Sequence, residues 1–261
     1  MVQINKEKCT GCGLCCNDCP SKVIKLENKK ASISEPRCLR CGHCVAICPV
    51  NAVSIDEYDM SEVEEFGNGQ PHLDQEVLLD SLKSRRSIRK YQNKRVEQEK
   101  IKKIIEAGRY TPTGSNKQDV SYIVVEKDIS ILENEGINIY KKLGKIGGFI
   151  SRFTKLPIDL KKLDLKEGFL FHGAPAVILV ISPSASNATL AAMSMELMAE
   201  AQGLGTHYVG LFTRVADRNK KIRTFLGLKK NEKIVQCIAL GYPDVKYQRT
   251  APRKKADIQW K

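Results

Sequence analysis

The sequence predicts an α+β protein built as two unequal units. Three observations predict it. Nine of the ten cysteines fall within the first 48 of 261 residues. That stretch contains an internal repeat. The rest of the chain alternates helix-type and strand-type apolar patterns, which suits a sheet flanked by helices. The composition, 42% hydrophobic and 28% charged, is ordinary for a soluble globular protein and argues against extended disorder. The longest strongly apolar run, 174–181, is too short to span a bilayer. The N-terminus is polar and lacks the apolar stretch of a signal peptide. Secretion and membrane insertion are therefore disfavoured, and the expected location is the cytoplasm.

The first unit is expected over 1–56. Cys9, Cys12, Cys15 and Cys19 recur, offset by 29 residues, as Cys38, Cys41, Cys44 and Cys48, and a proline follows the last cysteine of each set. A disulfide framework would suit a short exported domain, so metal or redox chemistry is the better reading. The spacing C-x₂-C-x₂-C-x₃-C-P lets three thiolates of one loop surround one face of an iron–sulfur cubane, while the fourth points to the other cluster. Cys9, Cys12, Cys15 and Cys48 are expected to hold one [4Fe–4S] cluster. Cys38, Cys41, Cys44 and Cys19 are expected to hold the second. Structural zinc prefers paired C-x₂-C units separated by a longer gap, which these two runs are not. The segment resembles the two-[4Fe–4S] bacterial ferredoxins over nearly its whole length, with no ligand missing. Cys16, whose repeat partner is Val45, and Cys237, in an apolar strand, read as small buried hydrophobes. His43 reads as an exposed loop histidine.

Residues 57–74 are acidic, end in Gly, Asn and Pro, and read as a linker. From 75 to 261 the apolar periodicity predicts helices over 75–84, 97–108 and 188–202. Runs rich in β-branched residues predict strands over 122–125, 176–181 and 234–240. Residues 128–170 are basic and Gly-interrupted, and read as a partly helical excursion outside the core. The stripe Met193, Met195, Leu197 and Met198 reads as core or dimer packing. Gly203 and Gly205 follow a predicted helix and not a strand, which argues against a dinucleotide fingerprint.

The basic run Arg85-Arg86-Ser87-Ile88-Arg89 suits phosphate recognition, because guanidinium donors match phosphate oxygens bidentately. The run also resembles the R-R-S-x-R opening of the nitroreductase family, flavoenzymes that bind FMN at a homodimer interface. Four further stretches are similar to that family in the same order. They are Ala107 through Gln118, where Gly108 and Arg109 depart from the family pattern; Phe171 through Val180, around Gly-Ala-Pro; Glu200 through Gly210; and Leu240 through Pro243, with Arg253 following. The fold implied is an α+β chain: a ferredoxin-like two-cluster domain, then an FMN-dependent nitroreductase-like α/β/α domain.

The resemblance also implies roles. Arg85 and Arg253, or Arg249 in its place, would contact the FMN phosphate. Arg86 and Ser87 would fix the ribityl chain. Arg89 would lie near the pyrimidine edge of the flavin. Asn116 and Gln118 would hydrogen-bond the ring or the ribityl hydroxyls. Pro112, Thr113 and Gly114 would meet the flavin bound mainly by the partner subunit. The backbone of Tyr208, Val209 and Gly210 would face the ring near N5. Phe149, Phe153, Phe169 and His172 would line the substrate pocket. No catalytic side chain is assigned, because the family relies on stacking and pocket shape.

Clusters carry single electrons, and FMN converts them into two-electron transfers. The expected activity is therefore FMN- and iron–sulfur-dependent reduction of a small acceptor: a nitroaromatic, quinone or activated alkene. The donor would be a ferredoxin, a flavodoxin or NAD(P)H. The alternative is an electron-transfer or redox-sensing protein without turnover of its own. A net charge of +13 would by itself suggest nucleic acid. Two anionic clusters would lower that to about +9, and no nucleic-acid motif accompanies the basic run, so no nucleic-acid partner is expected.

Overall fold

The computed structural model describes residues 1–67, 69, 71–150 and 164–261. The chain divides into two compact units. One comprises Met1–His72 with Thr113–Lys117, and the other Leu73–Pro112 with Gln118–Lys261.

The first unit makes the sequence repeat visible. Strand β1 (Val2–Ile4) pairs antiparallel with β4 (Val53–Ile55), so that each half of the repeat contributes one strand. Strands β2 (Ile24–Glu27) and β3 (Lys30–Ile33) form a hairpin. Its two turn residues, Asn28 and Lys29, both have positive φ, as a turn matched to the strand twist requires. The short helices α1 (Leu14–Asp18) and α2 (His43–Ala46) follow the C-x₂-C runs. Each is entered through a glycine in the left-handed region: Gly13 at φ 78° and Gly42 at φ 77°. A side chain would be strained there, which explains why glycine recurs at equivalent points of the repeat. The interior is built from Val23, Ile24, Ala31 and Ala52 together with cysteines 9 and 19, and Val2, Val53 and Ile55 pack beside them. Residues after 56 belong to the same unit. Asp59 caps a 3₁₀ turn at Met60–Glu62, and the Tyr58 hydroxyl donates to the Arg40 carbonyl at 3.1 Å.

The second unit is a four-stranded sheet with helices on both faces. Helices α3 (Gln75–Ser84) and α4 (Gln98–Arg109) precede β5 (Ser121–Val125), and α5 (Ile129–Ile150) follows it. Then come β6 (Ala176–Ile181), α6 (Ala185–Ala201), β7 (Gly205–Tyr208), α7 (Gly210–Ala216), α8 (Lys220–Phe225) and β8 (Ile234–Gly241). The strand order is β5-β6-β8-β7, and every neighbouring pair is antiparallel. β6 is buried along its whole length, which accounts for its unbroken apolar run Ala-Val-Ile-Leu-Val-Ile. One face of the sheet packs Leu132, Leu170, Phe171 and Phe212, the other Ile104, Ala192, Met195 and Ala199. Among the described residues no helix is long and apolar enough to cross a membrane.

The expectation that 128–170 lies outside the core is corrected over much of its described length. Leu132, Ile137 and Tyr140 of α5 are buried, as are Leu170 and Phe171 of the following turn. A Cβ at Gly136 would lie 2.7 Å from Leu170 Cδ1, so this glycine is a seat for Leu170 and not an interruption of the helix. Glu133 is buried with it and accepts hydrogen bonds from the backbone N–H groups of Leu170 (2.9 Å) and Phe171 (3.1 Å). Replacement Glu133→Ala should strand both donors and cost about 1–3 kcal/mol. Calorimetry of the FMN-loaded chain should read this as a Tm lower by several degrees; an unchanged Tm would refute the role.

Candidate functional site

Two cavities in the first unit carry its chemistry. One is lined by Cys9, Cys12, Cys15 and Cys48 with Ile4, Ala31 and Ala52. The other is lined by Cys19, Cys38, Cys41 and Cys44 with Val2, Ile24 and Ile55. The structure thus sorts the eight repeat cysteines into two sets of four, each taking three from one half of the repeat and one from the other. Among the described residues no three His, Cys, Asp or Glu side chains converge closely enough to grip a single metal ion. Four sulfurs lining one cavity suit a polynuclear cluster of the kind the C-x₂-C-x₂-C-x₃-C-P spacing implies.

The backbone prepares the sulfurs for negative charge. The N–H of Ala31 reaches Cys9 Sγ at 3.4 Å, that of Arg40 reaches Cys38 Sγ at 3.4 Å, and that of Ala52 reaches Cys48 Sγ at 3.2 Å. The Ala31 bond is the main reason the Cys9 thiol is held below its ordinary value. Burial pushes the opposite way at Cys15 and Cys44, raising each to about 11; neighbouring thiols add to it. Buried sulfurs that are to be ionised call for a cation beside them to hold the charge. Cys237 is fully buried in β8 and its thiol is raised by burial, as expected of an inert hydrophobe. Cys16 is only half-buried, and His43 is exposed at the start of α2.

In the second unit the basic run lies along the edge strand β7. The Ile88 N–H donates to the Thr206 carbonyl at 2.8 Å, which seats Arg85, Arg86, Ser87 and Arg89 beside that strand. Side chains of β7 alternate between its faces. Thr206 and Tyr208 share one face with Glu196 of α6, a carboxylate that the sequence reading did not single out. Arg85 Nη1 lies 2.7 Å from Glu196 Oε1, and Thr206 Oγ1 lies 3.3 Å from the same oxygen. The available signal was a charged residue set inside the apolar Met/Ala/Leu pattern of α6. Burial, then the Glu196 carboxylate, raises the Tyr208 phenol above its ordinary value, and burial raises the Glu200 carboxyl. Val209 is buried, its N–H bonded to the Cys237 carbonyl at 2.8 Å, and Gly210 is exposed where α7 begins.

Several donors here point to an anionic ligand. Arg86 Nη1 donates to the carbonyls of Lys83 (3.1 Å) and Arg85 (2.6 Å), which pins the guanidinium against the backbone. Arg86 Nη2 and Arg85 Nε are buried and without a partner among the described residues. Buried guanidinium N–H groups in that state are costly unless a ligand meets them, and phosphate or hydroxyl oxygens would. Ser87 is half-buried beside them and Arg89 is exposed.

The remaining expected residues are placed elsewhere. Thr113, Gly114 and Asn116 belong to the first unit, whereas Pro112 and Gln118 belong to the second. The Asn116 amide nitrogen donates to the carbonyls of Leu39 (3.1 Å) and Arg40 (3.0 Å), in the loop between Cys38 and Cys41. Ser115, Asn116 and Gln118 all have positive φ, so this stretch is held in a strained course. Arg249 and Arg253 are exposed in the irregular stretch after β8, and Arg253 Nη1 lies 3.4 Å from the Pro252 carbonyl. Phe169 packs against the core, and His172 faces His207. Phe153 lies outside the described residues, as does the side chain of Phe149.

Comparison with known proteins matches this architecture. A model of the nitroreductase family matches residues 82–242, and a model of a 4Fe-4S dicluster domain matches residues 1–49. The chain belongs to the nitroreductase family, whose members are oxidoreductases, and carries a 4Fe-4S dicluster domain ahead of the family's own domain. A protein of Archaeoglobus fulgidus, named as a candidate NADH dehydrogenase/NAD(P)H nitroreductase, is 27% identical over 64% of this chain and 86% of its own. Iodotyrosine deiodinase of Hydra vulgaris is 27% identical over 62% of this chain and 64% of its own. A nitroreductase with bound FMN from Bacteroides fragilis superposes with a TM-score of 0.56 at 21% identity, covering 70% of this chain and 98% of that one. An FMN-dependent nitroreductase from Clostridium difficile gives 0.56 at 18% identity, covering 69% and 97%. The two structures share the fold.

The Arg85–Glu196 pair gives a direct test of this face of β7. Replacement Arg85→Ala should leave a carboxylate that is 4% exposed without its counter-charge. The cost should fall near the low end of about 3–5 kcal/mol, because Arg85 itself keeps some contact with water. Replacing both by Met should recover most of that loss in urea denaturation; a double variant as unstable as the single one would contradict the pairing.

Proposed function

We propose that this protein holds two [4Fe–4S] clusters and one FMN per chain and passes single electrons between them to reduce a small acceptor. The observation that carries this reading is the sorting of eight cysteines into two four-cysteine cavities. Bound FMN would gather one-electron equivalents and release them in pairs, which nitroaromatics, quinones and activated alkenes require.

The chain's own residues supply binding and positioning. Cys9, Cys12, Cys15 and Cys48 would ligate one cluster, and Cys19, Cys38, Cys41 and Cys44 the other. N–H groups of Ala31, Arg40 and Ala52 would stabilise thiolate charge and help tune the potential of a bound cluster. Arg85, Arg86 and Ser87 would hold the flavin phosphate and ribityl chain, with Arg253 or Arg249 completing the phosphate site. Arg89 would oppose negative charge at the pyrimidine edge. The backbone of Tyr208, Val209 and Gly210 would lie along the ring near N5. Asn116 and Gln118 would hydrogen-bond the flavin. Pro112, Thr113 and Gly114 would cover the flavin of a partner copy, so the active form is a homodimer. Phe169 and His172 would border the acceptor, with Phe149 and Phe153 contributed by the preceding stretch. The proposed domain division is a cluster domain over 1–56 and an FMN domain over 75–261, with 57–74 joining them as a linker that packs with the first unit as far as His72. Ferredoxin, flavodoxin or NAD(P)H would donate electrons, in the cytoplasm.

Replacement of Cys41 or Cys44 by Ser should abolish reduction of the flavin by reduced ferredoxin under anaerobic conditions, while chemically reduced FMN still turns over quinones and nitroaromatics. Stopped-flow absorbance reads both steps. Full ferredoxin-driven rates in these variants would refute the relay, and a wild-type protein without acceptor turnover would indicate an electron carrier instead.

A further inference from the structure

On the face of β7 opposite Glu196 lies a second group of titratable side chains, so far without a role. The imidazoles of His207, in β7, and His172, in the turn before β6, stand 5.1 Å apart between ring centroids with their planes at 51°. His172 holds φ at 55°, unusual for a residue other than glycine, and Gly173 follows at 71°. That strained turn is tied down by the Glu133 hydrogen bonds to Leu170 and Phe171, so the ring is fixed against its neighbour. His207 Nδ1 is buried and has no partner among the described residues. A buried imidazole nitrogen left without a partner costs free energy unless function uses it.

Several groups act on the couple. Arg89, from the run along the edge strand, depresses both imidazoles, and Glu133 of α5 opposes that effect at His172. From β8 the residue opposite His207 is Ala239, which contributes no charge. Tyr91, beside the Ala239 carbonyl, is held protonated by burial. Arg85, Glu196 and Glu200 belong to the other face. Burial, then Arg89 and His172, bring His207 down to about 4. Burial and Arg89 likewise lower His172. Both lowered imidazoles are neutral at neutral pH, and the exposed Arg89 guanidinium lies close enough to act on each.

We propose that the His172–His207 couple stores the second proton of the two-electron reaction. This rests on the reading that FMN lies against Arg89 and the backbone that follows His207. Reduction of the flavin by two electrons and one proton at N5 adds one negative charge to the site. The couple offsets that charge by taking one proton from solvent, so two electrons and two protons enter together. When an acceptor is reduced, it receives two electrons and one proton from the flavin and the second proton from the imidazolium. The site returns to its starting charge, and the balance is complete.

The test is a redox titration of FMN in the full-length, anaerobically purified protein, with dithionite as reductant, repeated between about pH 6 and 8. The dependence of midpoint potential on pH gives the protons taken up per two electrons. Wild type should take up two. His207→Gln, which keeps size and polarity but cannot titrate in this range, should fall to one, and His172→Gln should fall part of the way. His207→Phe gives the same expected value by an apolar route should the Gln variant lose stability. Retention of two protons in folded His207 variants, or one proton in wild type, would overturn the proposal while leaving the flavin reading intact. Wild type that retains no FMN would overturn both.

Discussion

Eight sulfurs in a small unit form the constraint on which the rest depends. The first unit buries few large side chains, and much of its interior is cysteine. A domain of that size is only marginally stabilised by its apolar core, and a bound metal centre would add folding free energy. Burial raises the thiols of Cys15 and Cys44, which need a cation beside them to carry charge. Inorganic iron and sulfide would supply both the missing cation charge and the missing volume. The glycine entries to α1 and α2, the crossed cysteine groupings of the two cavities and the N–H···S bonds would all suit a chain wrapped around such a core.

In the second unit, β7 organises the site. It is the edge of the sheet, yet its outer side is covered by the segment that contains Arg85 to Arg89. One face carries Glu196, Thr206 and Tyr208, where Arg85 finds its counter-charge. The opposite face carries His207, with His172 and Arg89 beside it. A four-residue strand therefore separates a side that carries a buried ion pair from a side that carries two neighbouring imidazoles. That separation comes from the period-two alternation of a strand.

Much of this was legible in the sequence. The cysteine spacing groups the same cysteines that line each of the two cavities, and β6 is legible because a fully buried strand needs no polar alternation. The 75–84 window predicted from apolar periodicity coincides with α3, whose start Asp74 caps with bonds to two backbone N–H groups. Other parts were hidden for physical reasons. Helix α5 reads as an excursion because Gly136 looks like a breaker until Leu170 is seen filling the space above it. Strand β7 and helices α7 and α8 are too short for periodicity to stand out. Glu196 and His207 owe their significance to neighbours more than ten residues away or on another strand, and no local pattern marks them. The course of Thr113–Lys117 into the first unit is likewise a tertiary fact.

The most direct test of the central claim is anaerobic purification of the full chain with iron, acid-labile sulfide, zinc and flavin quantified together. The account predicts about eight iron and eight sulfide per chain, with about one FMN and no stoichiometric zinc. Zinc in place of iron, or a colourless protein after reconstitution with iron, sulfide and FMN, would contradict it.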